Sequence, residues 1–172
     1  MRAALRNFGM ASAALAVLGA MSALHVRAAD GGEAGWTTFN RTLSSERFVP
    51  LDQINTANVG RLKEVCRYDL DLDTSFQTGP LVIGAAMYGT SETDTFAIDA
   101  ASCRPKWRVH EDAKLGLPVN RGVAYLDGRL FRGLQNGHVV AYDAATGKKL
   151  WDQTIADPKK GESVPAAPIA AS

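Results

Sequence analysis

The chain has 172 residues, 46% of them hydrophobic and 22% charged, with a formal net charge of +1. This is an ordinary globular mixture, neither disordered nor collagen-like. The near-zero charge excludes the basic footprint of a nucleic-acid binder, and two cysteines are too few for a disulfide-dense mini-scaffold.

The first predicted element is a leader. Arg2 and Arg6 precede an apolar run from Phe8 to Leu24, and Val26-Arg27-Ala28 follows with residues suited to a signal peptidase. The pattern predicts a secretory signal peptide over residues 1–28, cut after Ala28, with Ala29 as the alternative cut. The run is short for a membrane span, and no later stretch is apolar enough to cross a bilayer. No cysteine follows it to carry a lipid. Cleavage removes Arg2, Arg6 and Arg27 and takes the net charge to −2. It also places residues 29–172 in an oxidising compartment. There Cys66 and Cys103 can pair as a structural disulfide; two free buried thiols are the alternative.

Outside the leader, helical periodicity is confined to Leu51–Leu62. The rest is a repeat of 44 residues that needs no gap. Gly84-Ala-Ala-Met-Tyr-Gly89 falls on Gly128-Arg-Leu-Phe-Arg-Gly133, Phe96-Ala-Ile-Asp-Ala-Ala101 on Val140-Ala-Tyr-Asp-Ala-Ala145, and Trp107 on Trp151. Pro168-Ile169 opens a third copy in register with Pro80-Leu81. The second copy reads as four strands: Gly122 to Leu126, Leu130 to Gly133, His138 to Tyr142 and Lys149 to Thr154. Asp127-Gly128 and Asn136-Gly137 are hairpin signals between them. Four short antiparallel strands per 44 residues make a propeller blade. The fold class is therefore all-β, a partial β-propeller of about two four-stranded blades plus the start of a third. Within each copy, Ala97 and Ala141 permit close approach, and Asp99 and Asp143 cap turns. Trp107 and Trp151 offer flat surfaces for packing between blades.

Other chemistry finds little support. His110 and His138 read as strand residues rather than catalytic ones, and Asp69/Asp71/Asp73 and Glu92/Asp94 read as solvated strand or turn acids. The chain shows no metal-ligand spacing, haem-attachment motif or phosphate loop.

Three stretches carry a family resemblance: Trp36-Thr-Thr-Phe-Asn40 with Arg47-Phe-Val-Pro-Leu-Asp-Gln-Ile-Asn55 and Asn58-Val59; Arg121-Gly-Val-Ala-Tyr125; and Ala141-Tyr-Asp-Ala-Ala-Thr-Gly-Lys148 with Trp151. Together they resemble the pyrroloquinoline quinone (PQQ)-dependent alcohol dehydrogenases, exported eight-bladed propellers. The resemblance implies a periplasmic enzyme that uses PQQ and calcium to oxidise alcohols or related hydroxyl compounds. It also implies that electrons pass to a periplasmic cytochrome or quinone. It places Arg121 against the quinone oxygens and Gln77 where relatives often carry a cofactor-contacting glutamate. It assigns no catalytic residue and no metal ligand to this chain, because the family's calcium ligands and catalytic aspartate lie in later blades. The chain is thus expected to be an N-terminal portion, inactive by itself. Two departures stand out: Leu115-Gly116 where many relatives have adjacent cysteines, and Pro165 where they have a threonine. The rival reading is a non-catalytic propeller scaffold of the bacterial envelope, which the same repeat would serve.

Overall fold

The computed structural model describes residues 36–113 and 118–171; the predicted signal peptide and Leu115-Gly116 lie outside them. Eight strands form two separate four-stranded antiparallel sheets in simple meander order. The first holds β1 (Leu81–Ile83), β2 (Ala86–Thr90), β3 (Asp94–Asp99) and β4 (Pro105–His110). The second holds β5 (Ala124–Leu126), β6 (Arg129–Gly133), β7 (His138–Asp143) and β8 (Lys149–Thr154). The repeat thus becomes two blades, and Asp127-Gly128 and Asn136-Gly137 lie in hairpin turns as expected. The symmetry extends to a defect. The β3–β4 register shifts between Ala97 and Ile98, and the β7–β8 register shifts at the equivalent Ala141 and Tyr142. The bulge sits beside the small alanines, which face Trp107 and Trp151 across their rungs.

The core runs through both blades. Leu81, Tyr88 and Ala97 from the first pack in one cluster with Val123, Leu130, Val140, Tyr142 and Ala144 from the second. Trp107 spans the junction: its indole N–H donates to the Ala144 carbonyl at 3.0 Å, and its ring lies under Gly147. Asp99 and Asp143 cap their turns as read from the sequence, each accepting from backbone and hydroxyl donors two or three residues on.

Arg132 is the largest side chain sealed between the blades. It donates to Thr95 Oγ1 at 2.8 Å and to the carbonyls of Ser91 and Glu92 at 2.8 and 2.6 Å. Burial lowers its pKa to about 10. The acids read as solvated at Glu92 and Asp94 are instead buried, at 8% and 1% exposure. Asp94 takes hydrogen bonds from Arg108 and sits 2.6 Å from His110 Nδ1. A period-two pattern alone does not say that a partner cation stands on the next strand.

The leading segment behaves differently. Its helical periodicity at Leu51–Leu62 yields only a 3₁₀ turn at Val59–Arg61. Asn55 and Asn58 side chains bond the local backbone instead and compete with a helical ladder. Leu51, Ile54, Val59 and Leu62 remain exposed. From Cys66 to Leu70 the chain alternates inward Cys66, Tyr68 and Leu70 with outward Arg67 and Asp69. Yet no described residue gives this stretch a strand ladder. What fastens it to the first blade is the Cys66–Cys103 disulfide, with Cα atoms 5.7 Å apart, and a tilted contact of Tyr68 on Phe96 at 5.4 Å.

Candidate functional site at the inner strand starts

Positions 77, 121 and 165 are equivalent in the repeat and open three successive inner segments. The structure brings them to one end of the two-blade body. Gly79 N–H donates to the Arg121 carbonyl, and Arg121 N–H donates to the Pro165 carbonyl, both at 3.0 Å. The three starts are therefore cross-braced through backbone. Gly122 makes the close approach possible: at φ +122° it presents no Cβ, and one there would sit 3.0 Å from the Gly79 oxygen.

Arg121 and Gln77 are both exposed at this end. The Arg121 guanidinium makes no hydrogen bond or ion pair with a described residue, while Gln77 Nε2 donates to Ser75 Oγ at 3.0 Å. No hydrogen bond joins the two side chains. Gln77 also lines a cleft of about 490 Å³ with Trp36, Phe39, Arg47, Thr78 and Gly79. Arg47 stands 5.2 Å over the Phe39 ring and donates to Asn40 at 2.7 Å. The cleft is built by the leading segment: Trp36 accepts from Val82 N–H, and Phe39 fills the space that a side chain at Gly79 would take.

A guanidinium without a partner among the described residues, with an amide exposed at the same end, offers donors suited to acidic oxygens on a flat anionic group. A quinone bearing carboxylates fits that chemistry. Calcium does not find its set here, because the described residues contain no cluster of three or more acidic, His or Cys side chains. Pro165 offers its carbonyl to Arg121 and, lacking a hydroxyl, has no side-chain donor to give.

The remaining charged constellations are structural. His138 Nδ1 lies 2.6 Å from Asp152, and Lys149 bridges Asp152 and Glu111. Tyr142 donates to Glu111 at 2.6 Å, and its hydroxyl is pushed above the usual tyrosine range by burial and by that bond. No sequence motif marks Asn120, which is 1% exposed. Its Oδ1 accepts from Gly122 N–H at 3.1 Å, and its Nδ2 donates to the Gly133 carbonyl at 2.8 Å. An Asn two residues before a Gly is its only local signal.

Among known families, residues 36–152 match the model of the PQQ glucose/ethanol/alcohol dehydrogenase β-propeller domain. The dehydrogenase subunit of the quinone alcohol dehydrogenase of Gluconobacter oxydans is 37% identical over 131 residues, 71% of this chain and 17% of the relative. A lanthanide-dependent methanol dehydrogenase of Methylacidiphilum fumariolicum is 34% identical over 146 residues, 78% of this chain and 24% of the relative. Among solved structures, the quinohemoprotein alcohol dehydrogenase ADHIIG of Pseudomonas putida HK5 superposes with a TM-score of 0.76 at 32% identity, covering 81% of this chain and 22% of that one. The chain spans about a fifth of the length of these relatives. Matched over most of its described residues in both sequence and fold, the chain belongs to the PQQ-type alcohol dehydrogenase β-propeller family.

Proposed function

We propose that this chain forms the leading blades of a periplasmic PQQ-dependent dehydrogenase that oxidises alcohols or related hydroxyl compounds. The observation that carries this reading is the Arg121 guanidinium, unpartnered among the described residues and held on a cross-braced backbone where the starts of three repeat segments meet. PQQ, when bound, supplies a quinone that accepts the electron pair of the alcohol. Arg121 would bind the quinone oxygens and stabilise negative charge as it develops there. Gln77 would donate a hydrogen bond without adding charge. The calcium ligands, the catalytic aspartate and the contact with a cytochrome or quinone acceptor are assigned to blades outside this chain. These 172 residues by themselves are therefore proposed to be inactive.

The repeat geometry supports a larger ring. Gly147 of the second blade packs on Trp107 of the first blade's outer strand. The equivalent position in the first blade is Cys103, and it is bonded to Cys66. The segment around Cys66 therefore sits where an outer strand of a preceding blade would pack, and no partner strand for it lies among the described residues. The disulfide supports export to an oxidising compartment, in line with the predicted leader.

The test is a PQQ titration of the full-length polypeptide followed by PQQ absorbance and protein fluorescence. Saturable binding that weakens more than tenfold in R121A supports the proposal. Absence of binding favours the envelope scaffold instead.

A further inference from the structure

Of the three equivalent segment starts, one is gripped by buried amide side chains, and it is the one that carries the arginine. Asn120 closes an Asx turn over Arg121, its Oδ1 accepting from Gly122 N–H while its Nδ2 donates to the Gly133 carbonyl at the end of β6. Gln135, 4% exposed in the β6–β7 turn, donates through Nε2 to the Val119 carbonyl. Arg121 itself is fixed on both sides by Gly79 and Pro165. The residues just before, at and after Arg121 are thus tied to the second blade and to both neighbouring inner segments.

The equivalent positions lack this arrangement. Asn120 corresponds to Phe76, which is 58% exposed, and to Val164, which is held by a backbone bond to Leu134. Gln135 corresponds to Ser91, whose hydroxyl caps its own turn at Asp94. The first-blade start is braced instead at Thr78, whose hydroxyl accepts from Thr90. A strand start therefore needs no buried amide pair merely to fold. Two buried amides cost desolvation unless fully bonded, and their concentration around one exposed cation points to a task at that cation.

We propose that Asn120, supported by Gln135, is a positioning residue that presents the Arg121 guanidinium in one fixed direction to the acidic oxygens of the bound quinone. This rests on the reading of Arg121 given above. The physical reason is preorganisation. A long arginine side chain contributes most when its root is immobile, because little freedom is then left to lose on binding. Without the Asx turn, the peptide after Arg121 is held on one side only, by the Gly79 N–H on the Arg121 carbonyl, next to Gly122, a residue with little conformational preference of its own.

The test is a double-mutant cycle on the full-length polypeptide, read as the PQQ dissociation constant alongside Tm. N120A is expected to weaken PQQ binding at least tenfold. N120A/R121A is expected to bind no more weakly than R121A, because a positioning residue has nothing left to position. Q135A, which spares the Asx turn, is expected to weaken binding severalfold and serves if N120A does not fold. N120D, which keeps the acceptor for Gly122 N–H, is expected to fall between wild type and N120A. Binding by N120A within twofold of wild type overturns the proposal, and so do additive losses in the double variant, the mark of a purely structural role. If R121A itself binds PQQ like wild type, the underlying site assignment fails first, which separates that failure from failure of the positioning role.

Discussion

At the scale of single residues, the repeat permits controlled comparison, since each position in one blade has a counterpart 44 residues away. Gly147 at φ +73° and Cys103 at φ +56° are such a pair. A Cβ at Gly147 would come within 2.7 Å of the Trp107 ring. G147A is therefore expected to cost about 2–4 kcal/mol, from left-handed strain and crowding together, measured by urea denaturation. Cys103 tolerates the same backbone because the leading segment, through Cys66 and not a tryptophan, faces it. C66S opens a crosslink spanning 37 residues and is expected to cost about 2–4 kcal/mol. C103G opens the same crosslink but relieves the left-handed strain, so it is expected to be the milder of the two by about 1 kcal/mol. Equal losses in the two variants would show that Cys103 carries no strain.

Arg132 is a residue whose role no local pattern announces. It sits on β6 with an exposed arginine, Arg129, at the start of the same strand, and the two look alike in sequence. Only the stacked first blade supplies the carbonyls of Ser91 and Glu92 that receive its protons. R132M removes those donors while keeping an apolar stem, and is expected to cost about 2–4 kcal/mol by leaving the carbonyls unpaired. The same change at Arg129 is expected to be nearly neutral. Parallel urea melts of the two variants check the contrast.

At the scale of elements, the outer two strands of each blade are laced by side-chain pairs, Asp94 with Arg108 and His110 and Asp152 with His138, and Lys149 adds a same-strand ion pair to Asp152. Burial alone would raise the Asp94 carboxyl. Hydrogen bonds from Arg108 and His110, with their charges, outweigh it and hold the carboxyl below its ordinary value of 3.8. Asp152 is lowered in the same way, burial opposing and His138 and Lys149 prevailing. A carboxyl depressed in the folded state contributes stability above its unfolded pKa and loses it as pH falls through the folded value. Stability is therefore expected to be flat from pH 7 down to about 4 on account of these two groups, and then to drop. D94N should cost about 1–3 kcal/mol at pH 7, with the gap to wild type narrowing below pH 4. A gap that stays constant down to pH 2 would remove the ionised carboxylate from the explanation.

The elements themselves were largely legible. Asp-Gly and Asn-Gly turns, a period of two between them and a 44-residue recurrence specify four-stranded blades, because hairpin chemistry acts over neighbouring residues. The misread stretches were those with long-range partners. Leu51–Leu62 has helical spacing, but with no apolar surface beneath it the local asparagine bonds prevail. Glu92 and Asp94 alternate like solvated acids, and only the adjoining strand and blade bury them.

At the scale of the whole molecule, the two blades leave apolar surface uncovered on both sides. Leu43, Phe48, Ile54 and Val65 are exposed on the leading segment, and Leu150, Trp151, Ile155 and Ile169 near the second blade. Exposed apolar groups and an extended segment without a ladder favour association. Residues 29–172 in solution are therefore expected to self-associate, with the apparent mass by light scattering rising with concentration. L150K/I155K is expected to lower that mass without unfolding the blades. A concentration-independent monomer would show that these faces need no cover.

What the amino-acid order determined by itself was the blade: its four strands, its turns, its aspartate caps and the tryptophan that ends each copy. All of these depend on residues within a few positions of one another or on a recurrence that survives translation along the chain. It also brought Arg121 and Gln77 forward as candidate cofactor contacts, through a resemblance carried by short motifs. The expected Cys66–Cys103 disulfide is present, whereas the tertiary structure alone decided that Arg132 lies sealed between blades and that Asn120 and Gln135 brace the chain on either side of Arg121. Each of those outcomes joins residues from different strands, turns or blades. Their partners are chosen by how the sheets stack, and no local pattern encodes that choice.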